Sequence, residues 1–242
     1  ADAPSSESSN SAAKKLTGSF EMNYLRHYLW RGAEFGNNDV AQPELVLTKN
    51  NFSLALCANF NYIPKNVPKE YYSRNAFFDE QDVEIRYANT WGKFDCEFKA
   101  MAYFYFFQIG SPNTAELYSW TGYNIGKGLS LFTENSIDVI NYAGAVYSNN
   151  GFYFEHSFDK NNITIESSLY AGIAGKKFNE IYFETESGGL NLLGGNISAS
   201  KDIGNFYLKL MGEINRYTKP GIKSSTGLRG TQNFAVGAGF NF

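Results

Sequence analysis

The chain has two histidines, His27 and His156, and neither has a nucleophile or acid placed to work with it. His156 is followed directly by Ser157, and neighbouring side chains of a strand point to opposite faces, so the imidazole cannot activate that hydroxyl. His27 is followed by Tyr28 and Leu29 and has no identifiable acidic partner. We therefore predict that the chain is not an enzyme.

Metal, cofactor and nucleic-acid chemistry are also not expected. Cys57 and Cys96 are the two thiols, and the alternation of the strands places Cys57 inward and Cys96 outward, so we expect no disulfide. No His/Cys cluster has the spacing of a zinc site, and no glycine-rich phosphate loop is present. The net charge of −3 gives no basic surface for nucleic acid.

Two charged ladders follow from pairing strands across short turns. Pairing about the turn Trp91-Gly92 places Arg86 opposite Glu97 and Glu84 opposite Lys99, all facing inward. Opposite charges across a ladder support this register. The ladder is either a polar wall that lines a pore or a set of structural ion pairs that fills a narrow barrel.

A second ladder, about the turn Lys160-Asn161, places Glu155 opposite Glu166. Two facing carboxylates repel unless a cation lies between them or one of them keeps its proton. The pair is thus a candidate cation or proton site. The alternative is a pair screened by water, with no role of its own.

The inward positions carry more acids than bases. The inward bases are Arg86, Lys99 and Lys209. Arg26 and Arg31 are not assigned to either face, because the upper part of the first strand leaves room for a bulge. An open lumen with this balance favours cations over anions. The acids that we expect to face inward are Glu21, Asp82, Glu84, Asp95, Glu97, Glu134, Asp138, Glu155, Glu166 and Glu213.

These side chains need a frame of strands, and the sequence predicts one. From Leu16 onward, segments of about ten residues alternate apolar with polar or small side chains, and short turns alternate with longer polar loops. This rhythm is typical of a transmembrane β-barrel, although a soluble β-sandwich is the alternative. The predicted strands are 17–32, 42–49, 52–62, 81–90, 93–108, 116–125, 128–145, 151–159, 162–173, 188–201, 205–216 and 232–242.

The composition fits this fold class. The mean hydropathy of −0.36 is uninformative, because a barrel strand shows lipid only at every second side chain. Aromatic residues make up 17% of the chain, which suits a protein built of sheet. We predict an all-β protein, a single transmembrane antiparallel β-barrel of about 12 strands over residues 16–242. Residues 1–15 are Ser/Ala-rich and predict a disordered periplasmic tail of a chain whose signal peptide has been removed.

Two motifs resemble known outer-membrane proteins. The last strand places Phe234, Phe240 and Phe242 on one face, and it resembles the closing strand of outer-membrane barrels, which ends in phenylalanine. The segment Tyr28-Leu29-Trp30-Arg31-Gly32, followed by Gln42-Pro43-Glu44, resembles the opening of the TorF-like porins. This second motif covers about a tenth of the chain. The resemblance implies an outer-membrane location and a porin architecture, but it implies no substrate.

We therefore expect a monomeric outer-membrane porin for passive diffusion of small cationic or neutral solutes, with both termini in the periplasm. The alternative is a non-conducting barrel that serves as an accessory subunit or a loop-borne binding platform, for instance through 71–78. The expected partners are outer-membrane lipids, small-molecule solutes and an outer-membrane protein bound through the external loops. The residues predicted to line the pore are Glu84, Arg86, Glu97, Lys99, Glu134, Asp138, Glu155, Glu166, Lys209 and Glu213.

Overall fold

The structure, a computed structural model, describes residues 15–34, 39–61, 78–106, 111–219, 221–222 and 229–242. Twelve antiparallel strands close into one barrel, in which the first strand pairs with both the second barrel strand and the last. The barrel strands are β1 (Thr17–Leu25), β4 (Val40–Lys49), β5 (Phe52–Asn61), β6 (Phe78–Trp91), β7 (Phe94–Phe104), β8 (Thr114–Gly126), β9 (Leu129–Asp138), β10 (Val146–Phe158), β11 (Ile163–Ala174), β12 (Gly189–Ile203), β13 (Phe206–Tyr217) and β14 (Gly230–Asn241).

The connections differ at the two ends of the barrel. The end that carries the start of β1 and the end of β14, here called the turn end, has only short connections, such as Lys127-Gly128 and the 3-10 turn Asp159–Asn161. The opposite end, here called the loop end, has the long connections. Lys127 and Gly128 both have positive φ, as a tight hairpin with right-handed strand twist requires. The predicted short–long rhythm and the twelve strands are confirmed.

The period of two along each strand separates two environments. Large apolar side chains face outward and stay exposed, for example Leu169 at 69% and Phe206 at 65%. Polar and charged side chains face the lumen, where Tyr207, Lys209 and Glu213 alternate with outward leucines and isoleucine. In β14 every residue of the predicted outward set is exposed, and these residues alternate with inward glycine and alanine. The set consists of Phe234, Val236, Ala238, Phe240 and Phe242. Because paired residues of neighbouring strands lie on the same face, the pairing of the strands decides which side chains face inward and which face outward.

The seam between the first and last strands is closed at the turn end. The backbone N–H of Gly18 donates to the Phe242 carbonyl over 2.9 Å, and the Phe242 N–H donates back over 2.8 Å. A Cβ at Gly18 would lie 2.4 Å from Phe242 Cζ, so the terminal ring packs directly on this glycine. The terminal phenylalanine thus completes the ladder that removes the free sheet edges.

The predicted register between β6 and β7 is wrong by one pair. Trp91 pairs with Phe94, so the turn residues are Gly92 and Lys93, and Arg86 lies opposite Lys99. Gly92 has a φ of +63° and takes the first turn position, which favours glycine in a type II′ hairpin. Because the shift moves each partner by two residues, all of these side chains still face inward. The predicted pairing of Glu155 with Glu166 is confirmed.

Two elements at the loop end were not predicted. The first barrel strand ends at Leu25 instead of residue 32, and the chain then forms a small hairpin of β2 (Leu29–Trp30) and β3 (Ala33–Glu34). A short helix, α1 (Lys176–Tyr182), lies between β11 and β12, where a loop was expected. Within the described ranges, no helix is long and apolar enough to cross a membrane. The predicted tail, apart from Lys15, and loop residues 71–77 lie outside the described residues.

Candidate functional site in the barrel lumen

One wall of the lumen, formed by β4 to β7, is a chain of ion pairs. Arg86 donates from Nε to Glu84 over 2.8 Å and from a terminal nitrogen to Glu44 over 2.6 Å. Lys99 Nζ lies 2.9 Å from a Glu97 carboxylate oxygen and 4.0 Å from one of Glu84. Although Arg86 and Lys99 face each other directly, each has its own carboxylates, and the inward acids of this wall, which include Glu44, Glu84 and Glu97, outnumber these two cations.

The opposite wall, formed by β9 to β13, has fewer ion pairs for its carboxylates. Tyr153 Oη lies 2.9 Å from an oxygen of Glu155 and 2.9 Å from an oxygen of Glu166. A phenol has one hydrogen and can donate to only one of the two carboxylates at a time. Glu166 also accepts from Ser198 Oγ over 2.9 Å, and Lys209 Nζ lies 4.0 Å from it. One distant cation therefore faces two carboxylates.

Neighbouring carboxylates on this side are held by neutral donors. Glu213 accepts from Tyr170 Oη over 3.0 Å and from Asn215 Nδ2 over 2.7 Å. Glu134 lies 3.4 Å from the side-chain nitrogen of Asn149. Neutral donors fix the orientation of a carboxylate without cancelling its charge, so this wall, like the β4–β7 wall, keeps a net negative charge.

Asp138 is inward, as predicted, but it belongs to the wall and not to an open passage. Its side chain is 1% exposed. One carboxylate oxygen accepts from Thr114 Oγ1 over 2.6 Å, and the other accepts from the backbone N–H groups of Ile140 and Tyr142 over 3.0 Å each. Because all of these partners belong to the β8–β9 wall and the turn after β9, Asp138 organises that turn.

The β2–β3 hairpin is anchored inside the lumen by an arginine that faces β8. The guanidinium of Arg31 makes a two-point contact with the Glu116 carboxylate, at 2.7 and 2.6 Å. The side chains of Arg31 and Glu116 are 7% and 3% exposed, and the guanidinium lies 4.1 Å from the centre of the Trp30 ring. Burial alone would lower the pKa of Arg31, but the hydrogen bonds and charge of Glu116 raise it above its ordinary value. The contact is therefore a buried ion pair.

The hairpin tip also contacts the far wall. The Gly32 carbonyl accepts a hydrogen bond of 2.5 Å from Tyr217 Oη on β13, and a Cβ at Gly32 would lie 2.2 Å from Leu192 Cδ2 on β12. In the order of the barrel strands, β13 lies five places from β8. Arg31 and Gly32 both have positive φ, which sets the tight tip. The hairpin thus bridges two nearly opposite walls.

Helix α1 packs over this hairpin. Phe178 is 1% exposed, and its ring lies 5.7 Å from that of Trp30 and 5.0 Å from that of Tyr147. Asn179 is fully buried and exchanges two amide hydrogen bonds with Asn191 on β12, of 3.0 and 2.6 Å. The helix and the hairpin therefore form one packed layer across the loop end.

The lumen is wide at the turn end and narrow at the loop end. A cavity of about 740 Å³ lies beside Glu97, Trp120 and Glu155, and one of about 310 Å³ lies beside Glu166 and Lys209. At the level of the hairpin, a cavity of about 90 Å³ lies between Tyr28, Glu80, Tyr105, Glu116 and Tyr182. Among the described residues, this tyrosine-lined space is the cavity that lies beside the hairpin.

Several of these groups were missed in the sequence. Glu44 and Glu116 occupy inward positions, so the same alternation that selected their neighbours could have found them. Glu80 lies just before the predicted strand start at residue 81. Arg31 was left unassigned because a bulge was expected in the upper part of the first strand, and its partner, 85 residues away, gives no local signal.

The two histidines lie on different parts of the barrel. His156 faces outward beside Phe154 and Phe158, with ring centres 6.4 and 4.5 Å apart. His27 follows β1 at the loop end, where its backbone makes two hydrogen bonds with the side chain of Asn233. Among the residues that the structure describes, no group of three His, Cys, Asp or Glu side chains could hold a metal ion.

The fold is that of known porins, although the sequence is far from theirs. No family model matches the chain, and no curated protein matches its sequence. The solved NanC porin superposes with a TM-score of 0.61 at 8% identity over 91% of this chain and 98% of that one. The KdgM porin gives 0.54 at 12% over 93% and 99%, and an outer-membrane channel from Pseudomonas putida F1 gives 0.50 at 8% over 94% and 95%. At these identities the likeness establishes the barrel fold.

Proposed function

We propose that the chain is a bacterial outer-membrane channel, without enzymatic activity, for passive diffusion of small cationic or neutral solutes. The observation that carries the proposal is a closed barrel with an apolar outer surface and a lumen whose β9–β13 wall keeps unpaired negative charge. Its interacting molecules are outer-membrane lipids on the outside and small solutes on the inside. Because the short turns of such barrels face the periplasm, both termini lie there.

The outer surface supports the membrane location. Exposed large apolar side chains surround the barrel on strands as far apart as β5 (Leu54) and β13 (Leu210). Monomeric soluble proteins rarely expose contiguous apolar patches larger than a few hundred Å². In a membrane these apolar side chains contact hydrocarbon and not water, and the closed ladder leaves no strand edge unpaired there.

The lumen charge supports cation preference. Both walls carry more acids than bases, and Glu155, Glu166 and Glu213 face Lys209 alone among the basic side chains described on the β9–β13 side. A water-filled passage lined by such carboxylates concentrates cations and repels anions. The further predicted lining residues Glu84, Arg86, Glu97, Lys99 and Glu134 stay predictions, as does Asp138, whose hydrogen bonds to the turn favour a structural role.

Single-channel recording in a planar bilayer under a salt gradient tests the proposal. We expect a small, steady conductance with a cation-selective reversal potential, and Glu155→Gln/Glu166→Gln should move that potential toward zero. The control Glu180→Gln/Glu186→Gln removes two exposed loop-end carboxylates and should leave the potential unchanged. Anion selectivity of the unmodified protein would contradict the proposed lumen charge.

A second function, a non-conducting barrel that binds a partner through its external loops, is favoured by one observation. The β2–β3 hairpin and α1 cross the lumen and leave about 90 Å³ beside them. If folded protein gives no conductance, whereas Arg31→Ala does conduct, the native state is plugged and this second function is supported. The resemblance to the TorF-like porins and the partner-binding role of 71–78 remain predictions.

A further inference from the structure

The outer surface of the barrel carries a polar patch at mid-height on three adjacent strands. Registers in β8, β9 and β10 align two rows of uncharged polar side chains that all face outward. Within the described residues, the other strands carry mainly apolar outward side chains at mid-strand, such as Leu208 and Leu210 on β13. The polar patch consists of Ser119, Thr121, Thr133, Asn135, Ser148 and Asn150.

Apolar rows lie on both sides of the polar patch. Toward the turn end, Tyr123, Leu131 and Phe152 form one row, and they are 39%, 44% and 50% exposed. Toward the loop end, the next row consists of Leu117, Ile137 and Val146, which are 52%, 38% and 41% exposed. The polar patch is therefore not part of a rim, where polar side chains meet water and lipid headgroups. It lies inside the apolar band.

The hydrogen-bonding capacity of the polar patch exceeds what its own side chains use. Asn135 Nδ2 donates to Thr133 Oγ1 over 3.2 Å, and Asn150 Nδ2 donates to Ser148 Oγ over 2.9 Å. Each of these bonds uses one of the two amide hydrogens. Asn135 is exposed, so its remaining donor and its carbonyl oxygen face outward. In hydrocarbon such groups are costly unless another polar surface covers them.

We propose that the polar patch is the contact surface for a second copy of this chain, related by a two-fold axis parallel to the barrel axis. This inference rests on the proposed membrane location, and it replaces the expected monomer with a dimer. Asn, Ser and Thr each donate and accept hydrogen bonds, and the polar patch has no charge to repel itself. A surface of this kind is complementary to its own image, which a two-fold interface requires.

The membrane fixes the geometry of such a pair. Two copies inserted in the same direction have equal residues at equal depth, so Asn135 on the central strand β9 faces Asn135 of the partner copy across the axis. A groove of about 590 Å³ runs beside this position, between Phe98, Leu117, Ile137 and Ile173. The groove is concave and apolar, and it can receive side chains of the partner copy next to the polar contact.

Disulfide trapping in isolated outer membranes tests the inference. In a Cys57→Ser/Cys96→Ser background, Asn135→Cys should form a disulfide-linked dimer of twice 27.1 kDa on mild oxidation. The matched control is Met22→Cys on β1, which is 41% exposed, faces outward and lies six strands away from β9 around the barrel. We expect at least about a tenfold higher dimer yield from Asn135→Cys, because only a specific two-fold contact brings equal residues together.

Three outcomes would overturn the dimer: equal yields from the two variants, no dimer from either, or a product whose mass shows a different partner. Fractionation that places the chain outside the outer membrane would overturn the proposed function first. Outer-membrane localisation and conductance without the dimer would overturn this inference alone.

A second variant keeps the inference independent of the added thiol. Thr133→Leu/Asn135→Leu makes the polar patch as apolar as the other walls, so the barrel should still fold and resist unfolding in detergent at room temperature. Native mass spectrometry from mild detergent should then show a monomer, where the unmodified protein shows a dimer. A dimer of unchanged abundance in this variant would overturn the inference.

Discussion

Replacing Arg31 by alanine tests the link between the inward hairpin and the width of the channel. The substitution leaves Glu116, which is 3% exposed, without its cation, and it removes both hydrogen bonds of 2.6 and 2.7 Å. Removing one partner of a buried ion pair costs about 3–5 kcal/mol, because the other charge stays buried. Tyr103 Oη, 3.1 Å from Glu116, recovers only part of that loss.

This loss of free energy destabilises the docked position of the hairpin and has little effect on the barrel. The barrel ladders do not involve Arg31, whereas the docked hairpin depends on side-chain contacts, which include the bond from Tyr217 to Gly32 and the ring contact between Trp30 and Phe178. A loss of about 3 kcal/mol shifts the docked-to-undocked ratio by roughly a hundredfold. We therefore expect the undocked state to become populated and the lumen to widen.

Two measurements check this expectation. Single-channel conductance of Arg31→Ala should rise above that of the unmodified protein, with longer open times. Hydrogen exchange followed by mass spectrometry should be faster in 26–34 and unchanged in β13. Arg216→Ala, which removes an exposed arginine at the loop end, is the matched control. If Arg31→Ala and Arg216→Ala have the same conductance and the same exchange in 26–34, the ion pair does not hold the hairpin.

Two further predictions concern the hairpin and its helix, and a third concerns the β9–β13 wall. Gly32→Ala should undock the hairpin and raise conductance, because its Cβ would lie 2.2 Å from Leu192 Cδ2 in a backbone with φ +78°; unchanged conductance would contradict this. Phe178→Ala empties a site that is 1% exposed and should cost about 3–5 kcal/mol of local stability, visible as faster hydrogen exchange in 175–188 with the barrel unchanged. Tyr153→Phe removes the hydroxyl that lies 2.9 Å from both Glu155 and Glu166 and leaves the two carboxylates without this donor. Calcium should then bind between them and block the channel several-fold more tightly, by roughly 1 kcal/mol of binding free energy. The control for the calcium-block measurement is Tyr207→Phe, which removes a hydroxyl bonded to Glu21 instead.

Much of the barrel could be predicted because its signals are local. The period of two assigns each strand residue to one face, which is why Glu155 and Glu166 were correctly paired on the same face of β10 and β11. The error at Gly92 shows the limit of this signal. When the turn moves by one residue, each residue gains a partner two positions further along the neighbouring strand. Every side chain then stays on the same face of the sheet, so the alternation of apolar and polar residues cannot detect the slip.

The sequence by itself determined the number of strands, their direction and the sides on which their residues lie, because turn residues and alternating hydrophobicity act over a few neighbours. Only the tertiary structure decided how wide the lumen is. Arg31 meets Glu116 across 85 residues, and Gly32 meets Tyr217 across 185. Such contacts form only after the barrel has brought distant walls together, and nothing near either residue in the chain encodes them.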